Sequence, residues 1–308
     1  MVGGEARRMA RIALVGPGAV GGVVAARLDA TGRHEIFLCA RRALEGLTVV
    51  SEEREFRVRV TVLTDPAVVP AVDWMLVATK AYDAAGAAAW IRPLAAQATP
   101  VAVLQNGVEH RERFAPYVDS ARVVPVMVDC PAERVSPVLI RQRGTAKMAV
   151  ADDERGREFA RLFEGAGVEL TLTKDFKSAV WRKLCTNAAG AISALLLQPV
   201  GVMHDERLGE IARGLVRECI AVGRAEGAVL DDALVESVLQ GCRAGPRDGV
   251  NSLHADRAAG RPMEVDARNG VIVRLGRKHG IPTPYNEMAV ALLLAPDAFT
   301  AGTAGTAK

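Results

Sequence analysis

The fold is decided by the stretch Val15-Gly16-Pro17-Gly18-Ala19-Val20-Gly21, which has the pattern GxGxxG. A short apolar run at 11–15 precedes it, and a helix-like segment at 20–29 follows it. In this context Gly16 permits a tight turn, Gly18 lets a pyrophosphate approach the backbone, and Gly21 lets helix and strand pack closely. The loop therefore predicts dinucleotide binding at a helix N-terminus. A tight turn without a ligand is the alternative.

Strand-like and helix-like segments alternate through the first half, which predicts an α/β fold with a doubly wound, Rossmann-type sheet. An exposed antiparallel strand is expected at 56–63 and a late hairpin at 139–150, around Arg143-Gly144. After Asp175 a 3.6-residue period predicts an all-helical C-terminal domain. The sheet strands are predicted at 11–15, 35–39, 72–78, 101–104 and 123–128, and the helices at 176–197, 206–225, 232–243 and 262–279.

The end of the second strand indicates which dinucleotide is bound. A site for NAD usually has Asp or Glu there, about 20 residues after the loop, to bind the ribose 2′-hydroxyl. Here the strand runs into Ala40-Arg41-Arg42 instead. Two guanidiniums can bind a 2′-phosphate, so NADPH is favoured. Surface arginines without a ligand remain the alternative.

Two further loops follow strands that end at the same predicted crevice. Lys80 follows the strand at 72–78 and is suited to neutralise phosphate charge, while Asn106 offers a donor and an acceptor near the nicotinamide. From the residues alone, a solvated lysine and an ordinary Asn106-Gly107 turn are equally acceptable interpretations.

The first C-terminal helix carries a second candidate group. At 100° per residue, Lys183, Asn187, Gly190 and Ala194 point in similar directions, towards the apolar stripe of that helix. Partial burial prepares a lysine to donate a proton, and the small residues leave room for a ligand. A lysine that snorkels at the edge of the stripe is the alternative.

Polar residues also cluster near the C-terminal end of the helical region. Ser252 and Asp256 share a face if 251–256 is helical, and Glu264 is placed in the first turn of the helix at 262–279. Glu264 and Arg268 are four residues apart, so a surface ion pair is the alternative interpretation.

Composition limits the remaining classes of function. The 308 residues carry a net charge of +3, and no basic stripe with interleaved aromatics suggests nucleic acid. No apolar run reaches the roughly 20 residues of a membrane span. The five cysteines are scattered and the five histidines lack metal-ligand spacing, so we expect reduced thiols, no metal and a cytoplasmic protein. A homodimer is left open.

Together these motifs resemble the ketopantoate reductase (2-dehydropantoate 2-reductase) family. Their order and spacing hold from about residue 11 to residue 285. The matching stretches are GPGAVGG at 16–22, CARR at 39–42, TKAYD at 79–83, LQNGV at 104–108, WRKLCTNAAG at 181–190, NSLHAD at 251–256 and GRPMEVDARNG at 260–270.

The resemblance implies NADPH-dependent reduction of a small 2-keto acid, with ketopantoate as the expected substrate and D-pantoate as the product in pantothenate biosynthesis. It implies that Lys183 is the general acid and that Glu264 binds the substrate's hydroxyl end and takes part in catalysis. It places Asn187 and Ser252 at the substrate, and Asn106 between substrate and cofactor. The implied cofactor-binding residues are Gly16, Pro17, Gly18, Ala19, Val20, Gly21, Arg41, Lys80 and Asn106.

Two positions depart from the family pattern and make the expected pocket more apolar. Ala191, followed by Ile192, stands where the family commonly has Asn-Pro, and Met263 stands where Thr is common. They suggest a related reductase that acts on a more apolar 2-keto acid. An NADPH-binding sensor without catalytic activity is a third hypothesis.

The sequence thus predicts four regions. They are a flexible extension at 1–8, an NADPH-binding Rossmann-type domain at 9–172, an all-α substrate and catalytic domain at 173–296, and a flexible tail at 297–308.

Overall fold

A computed structural model describes the backbone of residues 9–94 and 97–303, and side chains as far as residue 295. Contacts divide the chain into two compact units, one of residues 1–105 and 109–176 and one of residues 106–108 and 177–308. The predicted extension at 1–8 and the end of the predicted tail, 304–308, lie outside the described residues. The backbone of 297–303 continues the last helix. The domain boundary at 172/173 stays a prediction, four residues before the division between the units.

The first unit contains all the strands that the described residues form. The strands are β1 (Ala10–Val15), β2 (His34–Cys39), β3 (Thr48–Val50), β4 (Glu55–Arg57), β5 (Thr61–Leu63), β6 (Trp74–Val77), β7 (Val101–Val103), β8 (Val123–Pro125), β9 (Met127–Asp129), β10 (Ala132–Ser136), β11 (Leu139–Gln142), β12 (Lys147–Ala151) and β13 (Glu169–Thr173). The α-helices of this unit are α1 (Ala19–Asp29), α2 (Ala84–Ile91), α3 (His110–Phe114) and α4 (Glu154–Leu162).

A six-stranded parallel sheet forms the centre of this unit, in the order β5-β2-β1-β6-β7-β8. Residues alternate along β1, so Ile12 and Leu14 pack into one core cluster while Ala13 and Val15 pack into another on the opposite face. Both faces of the sheet are therefore covered, as a doubly wound fold requires. The predicted Rossmann-type fold class is confirmed.

Register aligns the ends of the central strands. Val15 is paired with Cys39 of β2 and with Val77 of β6, so the loops that follow these three strands leave the sheet at the same edge. In parallel α/β sheets this carboxyl edge is where ligands bind.

Three of the strand predictions were wrong in detail. The segment 56–63 is divided between β4, which is antiparallel to β3 in a small sheet, and β5, which is parallel to β2 in the main sheet. The run 123–128 is broken after Pro125, which has no N–H to donate, and Val126 bonds to Val103 before β9 begins. The strands β11 and β12 form no hairpin, because β11 pairs with β10 and β3 while β12 pairs with β13 and β9.

The second unit is helical over its described residues, as the sequence predicted. Its helices are α5 (Phe176–Ala189), α6 (Ala191–Leu196), α7 (Glu206–Ala225), α8 (Leu234–Ala244), α9 (Ser252–Ala258), α10 (Val271–His279) and α11 (Pro284–Thr303), and a π-helical turn spans Asp266–Gly270. Of the described helices, none is both long and apolar enough to cross a membrane.

The helix predictions needed three corrections. The helix predicted at 176–197 is broken at Gly190 into α5 and α6. The helix predicted from 262 starts at the π-helical turn, so Pro262 and Glu264 precede it and Glu264 is not in its first turn. The helix α11 was not predicted, and it begins at Pro284, a position where the missing N–H of proline costs nothing.

Two helical glycines of the second unit give a matched prediction about packing. A Cβ on Gly223 in α7 would lie 2.8 Å from Leu230 Cδ1 and 2.9 Å from Trp181 Cε3, so Gly223→Ala should lower the free energy of unfolding by about 1–3 kcal/mol. A Cβ on the exposed Gly241 in α8 meets nothing within 4 Å, so Gly241→Ala should raise it by about 0.5–1 kcal/mol. Thermal unfolding followed by circular dichroism should show shifts of opposite sign, and shifts of the same sign would contradict this account.

Candidate active site

The glycine loop has the geometry that its spacing predicts. Gly16 has φ +94°, a conformation that side chains rarely adopt, and a Cβ there would lie 2.8 Å from Thr79 Cγ2. A Cβ on Gly21 would lie 2.1 Å from the carbonyl oxygen of Gly16. A Cβ on Gly18 would meet nothing within 4 Å, so the first turn of α1 opens onto free space there. Two glycines thus close the loop and the third leaves it accessible to an anion.

The end of β2 carries the two arginines that favoured NADPH. Ala40 is buried and its N–H bonds to Leu63 O of β5 at 2.9 Å, while Arg41 and Arg42 are exposed. Because Gly16 N also bonds to Cys39 O at 3.1 Å, the glycine loop and the end of β2 are directly connected. A 2′-phosphate in this region would meet guanidiniums in place of a carboxylate.

Gln105 links the loops after β6 and β7, and sequence reasoning missed it. Its buried side chain donates to Thr79 Oγ1 at 3.0 Å and to Lys80 O at 3.3 Å, and its Oε1 accepts from Arg113 Nη1 at 3.1 Å. Lys80 is half-buried and lies directly after β6. The two predicted loops therefore form one connected edge of the site. An amide adjacent to the predicted Asn106 was the only available signal.

Arg134 of β10 is a second residue that the sequence did not single out. Its Nη1 donates to the carbonyl oxygen of Pro17, inside the glycine loop, and its Nε donates to Ser136 O at 3.3 Å. Burial lowers the pKa of this guanidinium below its usual value. The loop is therefore fixed from the side of the small sheet.

In the second unit three predicted residues form one hydrogen-bonded chain. Asn187 Nδ2 donates to Asn106 Oδ1 at 3.3 Å, and Asn106 Nδ2 donates to Glu264 Oε2 at 3.0 Å. Asn187 is 9% exposed and Glu264 is 6% exposed. The carboxylate is thus taken out of water and oriented by an amide, which fixes where its remaining lone pairs point.

Lys183 lies one helical turn before Asn187, on the same face of α5. It is half-buried, whereas its neighbour Arg182 is exposed and donates to Val229 O at 3.0 Å. The structure thus places the predicted general acid on the same helical face as an amide of the chain Asn187–Asn106–Glu264.

Ser252 is connected to this group through Arg268. Arg268 Nη1 is 3.4 Å from Ser252 Oγ, and Nη2 donates to Asn187 O at 2.8 Å. Arg268 is 2% exposed, so the interpretation of Glu264 and Arg268 as a surface ion pair was wrong. That interpretation assumed a regular helix from 262, whereas Glu264 precedes the π-helical turn that carries Arg268. Asp256 also lies buried on α9 and pairs with Arg261 at 3.0 Å.

The structure also shows where the two residues that depart from the family pattern lie. Ala191 is fully buried at the start of α6, and Met263 is half-buried beside Glu264. Within the described part of the chain, no group of three or more His, Cys, Asp or Glu side chains is arranged to bind a metal.

A Rossmann-type unit with an open glycine loop, followed by a helical unit with a buried amide and carboxylate cluster, is the arrangement expected of a nicotinamide-dependent oxidoreductase. The chain matches "Ketopantoate reductase PanE/ApbA" over residues 12–154 and its C-terminal counterpart over residues 175–296. It belongs to the ketopantoate reductase family, which confirms the resemblance.

Individual relatives agree with this membership. A 2-dehydropantoate 2-reductase of Caulobacter vibrioides is 48% identical, with 92% of this chain and 98% of that one covered. The crystal structure of 2-dehydropantoate 2-reductase from Geobacter metallireducens is 30% identical with a TM-score of 0.88, covering 93% and 99%. A ternary structure of D-mandelate dehydrogenase with NADH and anilino(oxo)acetate shares the fold at 21% identity and a TM-score of 0.84, covering 92% and 97%.

The open space at Gly18 gives a testable prediction. Gly18→Ala should fold normally, because its Cβ meets no atom and its φ of −73° suits alanine, but the methyl group should obstruct a pyrophosphate. We expect the dissociation constant of NADPH, measured by fluorescence titration, to rise at least about tenfold. Gly21→Ala is the matched comparison, because its clash with Gly16 O should lower the melting temperature as well as the affinity. Unchanged affinity in Gly18→Ala would refute the assignment.

Proposed function

We propose that this chain reduces 2-dehydropantoate to D-pantoate with NADPH, as a step in pantothenate biosynthesis. The observation that carries the proposal is the hydrogen-bonded chain Asn187–Asn106–Glu264, found at the positions that the family resemblance assigns to substrate binding. The relative from Caulobacter vibrioides, whose printed name is 2-dehydropantoate 2-reductase, supports the choice of substrate.

The cofactor is bound by residues at the carboxyl edge of the main sheet. The backbone of residues 16–21, where Gly18 leaves room, would hold the pyrophosphate, and Arg41 with Lys80 would bind the adenosine-side phosphates. NADPH, when bound, supplies the hydride that is added to the keto carbon. The preference for NADPH over NADH is supported by the exposed Arg41 and Arg42 and by the absence of a carboxylate in the described Ala40–Arg42 stretch.

The residues proposed to bind and protonate the substrate lie in the second unit. Hydride addition builds negative charge on the carbonyl oxygen, and the ammonium group of Lys183 stabilises that charge and donates the proton. Glu264 accepts a hydrogen bond from the substrate's hydroxyl group, and Asn106 keeps its carboxylate oriented. Asn187 and Ser252 donate hydrogen bonds to the remaining oxygens. Each role is a proposal carried over from the family positions.

A second candidate is a reductase for a more apolar 2-keto acid. The buried Ala191 and the half-buried Met263 favour it, because they replace polar groups beside the proposed substrate residues. Steady-state kinetics with branched and aromatic 2-keto acids distinguishes the candidates. A specificity constant for an aromatic acid above that for 2-dehydropantoate would favour this second function.

Cellular location and assembly complete the proposal. The protein is proposed to act in the cytoplasm as a reduced, metal-free enzyme on a small 2-keto acid, without nucleic acid or membrane partners. Light scattering of the purified protein would determine the mass in solution and would test for a homodimer.

The cofactor preference is tested at Arg41. Removing a guanidinium from the 2′-phosphate should weaken a charge-assisted contact, so Arg41→Ala should raise KM for NADPH about tenfold. KM for NADH, which has no 2′-phosphate, should stay within about twofold. The control is Arg92→Ala, which removes another exposed positive charge of the same unit. Equal effects on both cofactors would contradict the assignment of NADPH.

Turnover is tested at Lys183. The wild type should oxidise NADPH in the presence of 2-dehydropantoate, and Lys183→Ala should lower kcat by about 10²–10⁴-fold because the proton donor is lost. NADPH affinity should be nearly unchanged. Arg182→Ala removes the exposed neighbouring cation of the same helix and should retain activity. Full activity in Lys183→Ala, or no turnover of millimolar substrate by the wild type, would refute the proposed function.

A further inference from the structure

Arg268 is a fully buried cation beside the proposed substrate residues Asn187 and Ser252. Its side chain is 2% exposed. Burial lowers the pKa of its guanidinium to about 10, against the opposing effects of the carboxylates of Glu264 and, less strongly, Asp256. The group is therefore charged at neutral pH in a region from which water is largely excluded. A buried charge of this kind is costly unless its surroundings or a ligand compensate it.

The hydrogen bonds of Arg268 leave part of its donor capacity unused. Nη2 donates to Asn187 O at 2.8 Å, and Nη1 reaches Ser252 Oγ at 3.4 Å, which is long for such a bond. Nε has no hydrogen-bond partner among the described residues. The guanidinium is thus less completely satisfied than the cation of a structural ion pair.

The backbone is built to admit this guanidinium. A Cβ on Gly190 would lie 3.1 Å from Arg268 Nη2 and 3.1 Å from Asn251 Nδ2, so glycine gives both groups room at the break between α5 and α6. Asn251 in turn donates to Gly190 O at 3.0 Å and caps α9 through His254 N. Arg268 consequently lies between the end of α5 and the start of α9, each of which carries a proposed substrate residue.

In the hydrogen bond between Arg268 and Ser252, Arg268 is the donor. An arginine can only donate, so Ser252 Oγ accepts from Nη1 and its own hydrogen is left to point elsewhere. Ser252 is exposed, whereas Arg268 is not. The hydroxyl is therefore a donor on the accessible side of a buried positive charge, which is the arrangement that favours an anionic acceptor.

We propose that Arg268 is a positioning residue that determines specificity: acting through the hydroxyl of Ser252, its buried charge selects substrates that carry a free carboxylate. The inference deepens the proposed function and rests on it, because Ser252 is a substrate residue only within that proposal.

A purely structural role is the competing explanation. Arg268 Nη2, Asn269 Nδ2 and Asn251 Nδ2 all donate to carbonyl oxygens near the end of α5, where a cation also interacts favourably with the helix dipole. A cap of this kind would affect stability and would not distinguish charged from uncharged substrates. The two explanations therefore predict different ratios of the specificity constants for a charged and an uncharged substrate.

The experiment compares 2-dehydropantoate with its methyl ester, which has the same carbon skeleton without the negative charge. In Arg268→Met, KM for the acid should rise about tenfold or more, while KM for the ester and for NADPH stays within about twofold and kcat falls less than about threefold. Arg268→Lys keeps the charge and should restore a large part of the preference for the acid. The preference is the ratio of the two specificity constants.

A second variant tests the route through the hydroxyl group. Ser252→Ala should also reduce the preference for the acid, and adding Arg268→Met to it should cause little further loss, because both changes interrupt one path. If Arg268→Met does not fold, Ser252→Ala and Arg268→Lys still decide the question. Unchanged preference in Ser252→Ala, or equal rises in KM for acid and ester in Arg268→Met, would overturn the proposal.

Failure of the proposed function gives a different result. If the wild type prefers another 2-keto acid, the same ratio is measured with that acid and its methyl ester, and the inference about Arg268 is tested independently of the substrate. If no 2-keto acid is reduced, binding of D-pantoate and its methyl ester to the NADP⁺-loaded protein, measured by calorimetry, provides the ratio without turnover. Equal binding of the two by the wild type would refute the inference.

Discussion

The hydrogen bond from Asn106 Nδ2 to Glu264 Oε2, at 3.0 Å, is the interaction on which the candidate active site depends. Glu264 is 6% exposed, and a carboxylate removed from water must be compensated by donors or by positive charge. Asn106 supplies the donor, and Asn187 in turn binds the oxygen of the Asn106 amide at 3.3 Å. Residues 106–108 belong to the loop after β7, yet they group with the helical unit. This loop thus provides the amide that orients a carboxylate far along the sequence.

The parts of the fold that local patterns determine were predicted well. Gly16, Gly18 and Gly21 are required by backbone conformation and close approach, so their spacing alone indicated a strand, a loop and a helix. Strand pairing was less predictable, because an apolar run does not state which sheet it joins. The segment at 56–63 reads as one strand by alternation, but its two halves pair with β3 and β2 in different sheets. Partner choice is a long-range property, which single-sequence periodicity does not contain.

The sequence identified most of the site residues, but it did not predict which of them contact one another. Lys80 and Asn106 were singled out at predicted strand ends, Lys183 on an apolar helical stripe and Glu264 in a predicted first helical turn, and the family resemblance then implied their roles. Gln105 and Arg134 were missed because their importance lies in backbone carbonyls and in Thr79, which no motif specifies. The alternative of a surface pair between Glu264 and Arg268 was wrong because a spacing of four residues implies such a pair only in a regular helix, and Arg268 lies in a π-helical turn. Local geometry, more than composition, decided between a solvated charge and a buried one.

Under the proposed function, the apolar Ala191 and the buried charge of Arg268 would both affect which 2-keto acids are selected. An amide recognises a hydroxyl or carboxylate by direction and short range, whereas a buried guanidinium acts on any nearby anion through charge. Under the proposed roles, a site with Ala191 and Arg268 would keep its attraction for the carboxylate that every 2-keto acid shares, and it would discriminate less between the other ends of these substrates. Met263 would act in the same sense under the proposed function, because an apolar side chain cannot strongly reject a substrate that differs by a methyl or hydroxyl group. Under the proposed function, selection at the distal end of the substrate would fall mainly on Glu264, because its buried carboxylate would lack a donor when the substrate has no hydroxyl group there.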